Sequence, residues 1–484
     1  MLFQTGFTEI VSTMDSHEFR RNAHRVVDWI ADYLENIESY PVKSQVKPGE
    51  ISDQLPSNPP LTGESFEAIM ADFEKIIMPG ITHWQSPSFF AYFPANSSYP
   101  SILGEMLTAT LATQCMIWQT SPAAAELEEQ VMEWLKKMLH LPSGWSGVIQ
   151  DTASTATLCA LLTAREKVSD YNINKTGLKD HSFVVYCSEQ THSSIEKDVK
   201  IAGIGSENLR LISVDENYAM RPELLKAAIE KDIREGFVPL CVVATIGTTG
   251  TTAIDPVDAI AEICETFDIW LHVDAAFAGN ALVLEELSWM GKGLERADSF
   301  VFNPHKWMFT NFDCSAYFVA DSEALVRTFE ILPEYLKTKE HQPVKNYRDW
   351  GVPLGRRFRA LKLWFVIRSY GVNGIRERFR EQLRLAESLE KQIRAHKNFE
   401  MLAPRPLVLL CFRFHPGAIS DESALNSLNE QLVDQLNASG KMYLTHTKLN
   451  DKYTIRLHVG QTNTTSEQIE KAWKLIQQTA ESLI

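Results

Sequence analysis

The sequence predicts an α/β protein built on a doubly wound, mostly parallel sheet, with a helical segment before it and a smaller α+β region after it. Three observations carry that prediction. Between residues 147 and 320, short strand-like runs alternate with helical patterns, as in strands joined by crossover helices. The runs at 269–274 and 299–303 are mostly apolar rather than alternating, as strands covered on both faces are. A chain of 484 residues also exceeds what one hydrophobic core organises, so two or three regions are expected.

In chain order, Asp15-Ser16-His17-Glu18 has the form of a helix N-cap with a carboxylate three residues on. Phe19, Ala23, Val26, Ile30, Tyr33 and Ile37 follow at helical spacing. Residues 40–60, rich in Pro, Ser, Gln and Lys, read as an extended connector. A second amphipathic helix starts near Ser65 and stops before Pro79-Gly80. Two helices joined by an arm cannot bury both apolar stripes alone, so they are expected to pack on the main body or on another subunit. Residues 82–94 hold Trp84, Phe89, Phe90, Tyr92 and Phe93, too dense and irregular for a helical stripe or an alternating strand. They read either as a loop plugging a core or as the wall of an aromatic pocket. Helical patterns at 98–113 and 122–139 lead into the alternating region. Its strands are expected at 147–150, 182–187, 209–214, 240–246, 269–274, 299–303 and 315–320, with helices at 153–168, 193–204, 222–234 and 256–267. A long helical stretch at 356–395 leaves that region, and apolar runs at 407–414 and 453–459 lie between helices in the remainder. The expected division is a helical flap at 1–98, a large domain at 99–373 and a small domain at 374–484.

Composition excludes several classes of function. A net charge of −15 argues against nucleic acid or an anionic membrane as partner, both being polyanions. No apolar stretch approaches the ~20 residues that span a bilayer, and the first residues lack the basic and apolar regions of a secretory signal. Seven cysteines without a Cys-x-x-Cys pair read as reduced core thiols of a cytoplasmic protein. No His-Glu-x-x-His or similar spacing occurs, and no metal is expected.

The chemistry concentrates at strand ends. The run 299–303 delivers Lys306, flanked by Asn303 and His305, and the run 269–274 delivers Asp274. In open α/β sheets, ligands sit outside the strands' carboxyl ends. Taken singly, the lysine reads as a solvated edge residue and the aspartate as a hydrogen-bonded strand terminus. Together they suit one task. A desolvated lysine forms a Schiff base with an aldehyde cofactor, and an aspartate pairs with that cofactor's protonated ring nitrogen, which points to pyridoxal phosphate. Gln150-Asp151-Thr152-Ala153-Ser154-Thr155 follows a strand and opens a helix, as a plain N-cap or as a site for one phosphate. Residues 246–252, with Gly247, Thr249 and Gly250, form a second candidate. Neither has the glycine pattern of a dinucleotide site or a P-loop. His192, just after another strand, is placed to stack on a ring or move a proton.

Asn303-Pro304-His305-Lys306-Trp307, His272-Val273-Asp274-Ala275-Ala276, Thr191-His192-Ser193-Ser194 and Ala91-Tyr92-Phe93-Pro94 together resemble the pyridoxal-phosphate-dependent group II decarboxylases, most closely those acting on aromatic L-amino acids. The resemblance runs from about His17 to the C-terminus. It implies a fold-type I homodimer with a seven-stranded sheet, an N-terminal flap and the active site at the subunit interface. It makes Lys306 the Schiff-base lysine, Asp274 the ring-nitrogen partner and His192 the stacking residue, with Ala276 against the other face. Thr152, Ala153, Ser154, Asn303 and His305 become phosphate ligands, with Thr249 near the ring. Trp84, Tyr92, Phe93, Met116 and Gly355 become pocket residues, and Tyr335 the loop tyrosine that protonates the product. Ala95 and Met116 depart from residues common in animal members, threonine and an aromatic. The implied reaction is decarboxylation of a Trp, Tyr, Phe or DOPA type of amino acid to its arylalkylamine. The rivals are an aromatic aldehyde synthase, a non-catalytic cofactor-binding paralogue and an enzyme for acidic substrates. Tyr335 and His192 disfavour the first, the intact Lys, Asp, His and Tyr set the second, and the aromatic wall the third.

Overall fold

A computed structural model describes residues 14–179, 181–331 and 344–484. Seven strands, β1 (Ser146–Gln150), β2 (Phe183–Ser188), β3 (Leu209–Ile212), β4 (Val238–Thr245), β5 (Trp270–Asp274), β6 (Ser299–Phe302) and β7 (Ser315–Val319), form one sheet in the order β1-β7-β6-β5-β4-β2-β3. The strands β3, β2, β4, β5 and β6 run parallel, while β7 is antiparallel to both β6 and β1. Every residue of β2, β5, β6 and β7 is buried, because helices cover both faces. The period of two survives beneath the continuous apolar runs. Along β4, Val242 and Ala244 join one core with Leu225, Ile229 and Ile260 from helices Pro222–Arg234 and Val257–Phe267. Cys241 and Val243 join the other with Ala156, Ala160 and Ala164 of helix Ala153–Val168. The predicted doubly wound class is the observed one.

Asp15 caps the first helix, Ser16–Glu35, accepting from the N–H groups of His17 and Glu18 at 2.8 and 2.7 Å. Ser65 caps the second, Phe66–Asp72, which widens into a π-helical turn over Phe73–Ile77 and ends in a tight 3-10 turn at Met78–Gly80. Trp29 meets Phe73 edge-on between these two helices. The connector is tied to the C-terminal region, Val42 donating to the Gly440 carbonyl at 2.8 Å. In the aromatic segment Phe89 and Phe90 are fully buried plugs, while Trp84 and Tyr92 are exposed.

The long helix spans Arg359–Ala395 and is broken at Gly371, whose φ of +63° and ψ of 166° are not helical. It starts later than its sequence pattern, because Arg356 turns inward to Glu128 and the Ile149 carbonyl, both at 2.7 Å. The second sheet is antiparallel, β10-β11-β9-β8, from β8 (Phe399–Met401), β9 (Leu409–Phe414), β10 (Thr445–Leu449) and β11 (Lys452–His458). Its two edge strands lack an apolar signature. β8 has three residues and β10 reads Thr-His-Thr-Lys-Leu, so only the central pair stood out.

Candidate active site

A cavity of about 230 Å³ opens at the carboxyl ends of β4, β5 and β6. Lys306, Asp274, His192, Ala276, Asn303 and His305 all line it, with Thr152, Ala153, Ser154, Thr249 and Phe93. Beyond β6 the chain makes a single helical turn, Pro304–Trp307, and Lys306 projects from it. Lys306 is partly exposed where it lines the cavity, yet burial of its ammonium lowers its proton affinity, with Asp274 opposing. Its Nζ lies 5.5 Å from the Phe93 ring centre. Behind it Phe93, Phe277, Trp307 and Phe379 stack at 4.2, 4.7 and 4.6 Å, a rigid aromatic column under the lysine.

Asp274 ends β5, is 5 % exposed, and accepts from the Ala276 N–H at 3.0 Å. Two histidines are held neutral with defined tautomers. His305 Nδ1 accepts from the Cys314 N–H at 2.8 Å, which puts the ring proton on Nε2. Burial pushes its pKa down to about 3, helped by the neighbouring Lys306. His192 Nδ1 accepts from the Ser194 N–H at 3.2 Å and lies 2.8 Å from the Ser194 hydroxyl, so its proton also sits on Nε2. Burial, then Lys306, lowers its pKa.

The helix Ala153–Val168 points its N-terminus at the same cavity. Thr152 is its N-cap, its hydroxyl accepting from the Thr155 N–H at 3.3 Å. The next two N–H groups, Ala153 and Ser154, have no protein acceptor among the described residues, as an anion site at a helix N-terminus requires. Ser315 donates to Asn303 Oδ1 at 2.7 Å, and the Asn303 Nδ2 donors have no acceptor among the described residues.

Residues 48–415 match the family model described as the pyridoxal-dependent decarboxylase conserved domain. The chain belongs to this family. It is 43% identical to tyrosine decarboxylase 3 of Petroselinum crispum, covering 98% of this chain and 94% of that one. It is also 43% identical to phenylacetaldehyde synthase of Arabidopsis thaliana, covering 99% of each. The crystal structure of Catharanthus roseus tryptophan decarboxylase in complex with L-tryptophan matches with a TM-score of 0.92 at 40% identity, covering 98% of this chain and 100% of that one. The protein is a pyridoxal-phosphate-dependent carboxy-lyase of fold type I.

The cavity's donor set fits that cofactor. A desolvated amine, a buried carboxylate and a convergent set of neutral N–H donors match an aldehyde, a ring nitrogen and a phosphate respectively. Four sequence candidates, Trp84, Tyr92, Met116 and Gly355, do not line this cavity. Trp84 and Tyr92 are 37% and 44% exposed, and Gly355 borders a separate pocket with Gln114 and Arg357. The Met116 carbonyl accepts from the Arg348 N–H at 2.8 Å. Tyr335 lies outside the described residues. Gly247 and Thr249 of the 246–252 candidate are in the lining, whereas the sequence reading missed Thr245, Phe277 and Phe312. Thr245 is the register partner of Asp274 across β4 and β5, a signal legible only once strand order is known.

Proposed function

We propose that this enzyme decarboxylates aromatic L-amino acids to arylalkylamines, with Lys306 as the residue that bonds the cofactor aldehyde. The observation that carries the proposal is the convergence of Lys306, Asp274 and the free N–H groups of Ala153 and Ser154 on one cavity. Pyridoxal phosphate, when bound, supplies an electron sink for the pair left at Cα as CO2 departs. Asp274 accepts the ring N–H and keeps that sink protonated. Thr152, Ala153, Ser154, Asn303 and His305 hold the phosphate, His305 as a neutral Nε2–H donor. His192 covers one ring face and Ala276 the other, with Thr249 beside the ring. Trp84, Tyr92, Phe93, Met116 and Gly355 form the substrate pocket, completed across a homodimer interface. Tyr335 returns a proton to Cα, assisted by His192. The aromatic substrate class is supported by the relatives named for tyrosine and tryptophan. The flap, large and small domains divide at 98 and 373, the second boundary beside the break at Gly371. Seven free, buried thiols support a cytoplasmic setting, and no helix of the described residues is long and apolar enough to cross a membrane.

Lys306→Ala is expected to abolish turnover and the visible absorbance of lysine-bound cofactor. An unchanged spectrum in that variant assigns the bond to another residue. The function itself is tested by incubating cofactor-loaded enzyme with L-Trp, L-Tyr, L-Phe, L-DOPA and L-Glu and measuring amine, CO2, aldehyde and hydrogen peroxide. Amine with equimolar CO2 from aromatic substrates is the expected result. Aldehyde with peroxide would make the chain a synthase, the reading favoured by its likeness to phenylacetaldehyde synthase. Turnover of L-Glu alone would overturn the aromatic pocket.

A further inference from the structure

A strap of the N-terminal region runs along the turn that carries Lys306. The Asn96 N–H donates to the His305 carbonyl at 3.1 Å, and Asn96 Nδ2 to the Lys306 carbonyl at 3.1 Å. Ser98 Oγ donates to the Phe309 carbonyl at 2.7 Å, and the Asn311 N–H to Ser101 Oγ at 2.8 Å. One side chain in this strap does more than bind the turn. Asn96 Nδ2 also donates to the Gly460 carbonyl at 2.9 Å, while Asn96 Oδ1 accepts from the Thr462 N–H at 3.2 Å and the Thr462 hydroxyl at 2.9 Å. Both amide hydrogens and both oxygen lone pairs are used, at a residue with no exposure.

We propose that Asn96 is a positioning residue for Lys306, through which the 460–462 segment fixes the backbone of the reactive lysine. The position asks for an amide. A hydroxyl offers one donor where two carbonyls need one each, and a carboxylate offers none. Lys306 stands on a one-turn helix, so its carbonyl lacks the ladder of a long helix. Without the Asn96 bond, the Lys306 carbonyl has no other donor among the described residues, so the lysine's backbone can shift although the next residue, Trp307, stays anchored in the aromatic column. Misplacing a reacting group by an ångström costs up to about a hundredfold in rate.

The inference rests on Lys306 being the cofactor-bonding residue, which Lys306→Ala tests separately. If that variant keeps the lysine-bound absorbance, this inference falls with the assignment. The test uses holoenzyme of Asn96→Ala, Asn96→Asp and Thr462→Val. The readouts are the pH midpoint of the cofactor's visible absorbance, kcat and KM separately, and the Tm of each apoprotein. Asn96→Ala and Asn96→Asp are expected to retain cofactor, to lower kcat on the order of tenfold with KM nearly unchanged, and to move the absorbance midpoint. Thr462→Val, which removes a hydroxyl shared between Asn96 Oδ1 and the Ser97 carbonyl at 2.9 and 3.1 Å and nothing that touches the turn, is expected to move the midpoint in the same direction by less. A lowered Tm with wild-type kcat and midpoint in the folded variants would make Asn96 a structural tie only and overturn the proposal. Should neither Asn96 variant fold, a wild-type midpoint and kcat in Thr462→Val would overturn it equally.

Discussion

Asp198 is a buried carboxyl that the proposed chemistry does not use. It is 2% exposed on helix Ser194–Ile201, and its Oδ2 has no hydrogen-bond partner among the described residues. Burial first, and then the negative charge of Asp274, pushes its pKa up to about 7, against the pull of Lys197. The folded protein therefore holds a proton that the unfolded chain has lost. Stability from this group falls as pH rises from 3.8 to about 7, by at most about 1.4 kcal/mol per pH unit, and is level above that. Asp198→Asn keeps the shape and removes the titration. Its Tm is expected to exceed that of the wild type at pH 7 to 8, with the difference closing toward pH 4. A pH-independent difference would show that Asp198 does not titrate in this window.

At the scale of an element, the loop after β4 depends on one glycine. Gly247 has a φ of +85°, and a Cβ there would lie 2.5 Å from the Ala278 Cβ. The Gly247 and Thr248 N–H groups both donate to the Ala253 carbonyl, at 2.9 and 3.0 Å. Asp255, fully enclosed, accepts from the Thr245 and Met220 N–H groups at 2.8 and 2.7 Å. The loop is thus a rigid cradle between β4 and the cavity wall. Gly247→Ala combines left-handed strain with a clash and is expected to destabilise the apoprotein by about 1–3 kcal/mol. Weaker cofactor retention should accompany the loss. A thermal melt and a cofactor titration of that variant check both effects, and wild-type values in both would show that the loop yields freely.

On the scale of the whole molecule, helix Tyr99–Leu111 presents Tyr99, Leu103, Leu107 and Leu111 outward at four-residue spacing, exposed by 67, 54, 46 and 57%. Phe312, which lines the cavity, is 58% exposed as well. Apolar stripes of this size are characteristic of surfaces that another chain covers. They support the proposed homodimer with its site at the interface. Leu107→Asp is expected to give a monomer in sedimentation and to lose most activity. A fully active monomer would place the complete site within one chain.

The sequence by itself determined the fold class, the order of the seven large-sheet strands along the chain, and the family. Each of these rests on local signals: apolar runs of strand length, helix caps such as Asp15 and Ser65, and the motifs around Lys306 and Asp274. The residues later found on one cavity wall were legible for the same reason, since a strand's carboxyl end is marked where its apolar run stops. Tertiary structure alone decided the rest. It set the strand order in space, the antiparallel β7, the inward turn of Arg356 that delays the long helix, and the edge strands, the short β8 and the polar β10. It also set the junction at Asn96, whose partners lie 210 and 364–366 residues away. An apolar run declares its own burial. A hydrogen-bonding side chain declares only its capacity, and which carbonyl it meets is fixed by the packing of segments far apart in the chain.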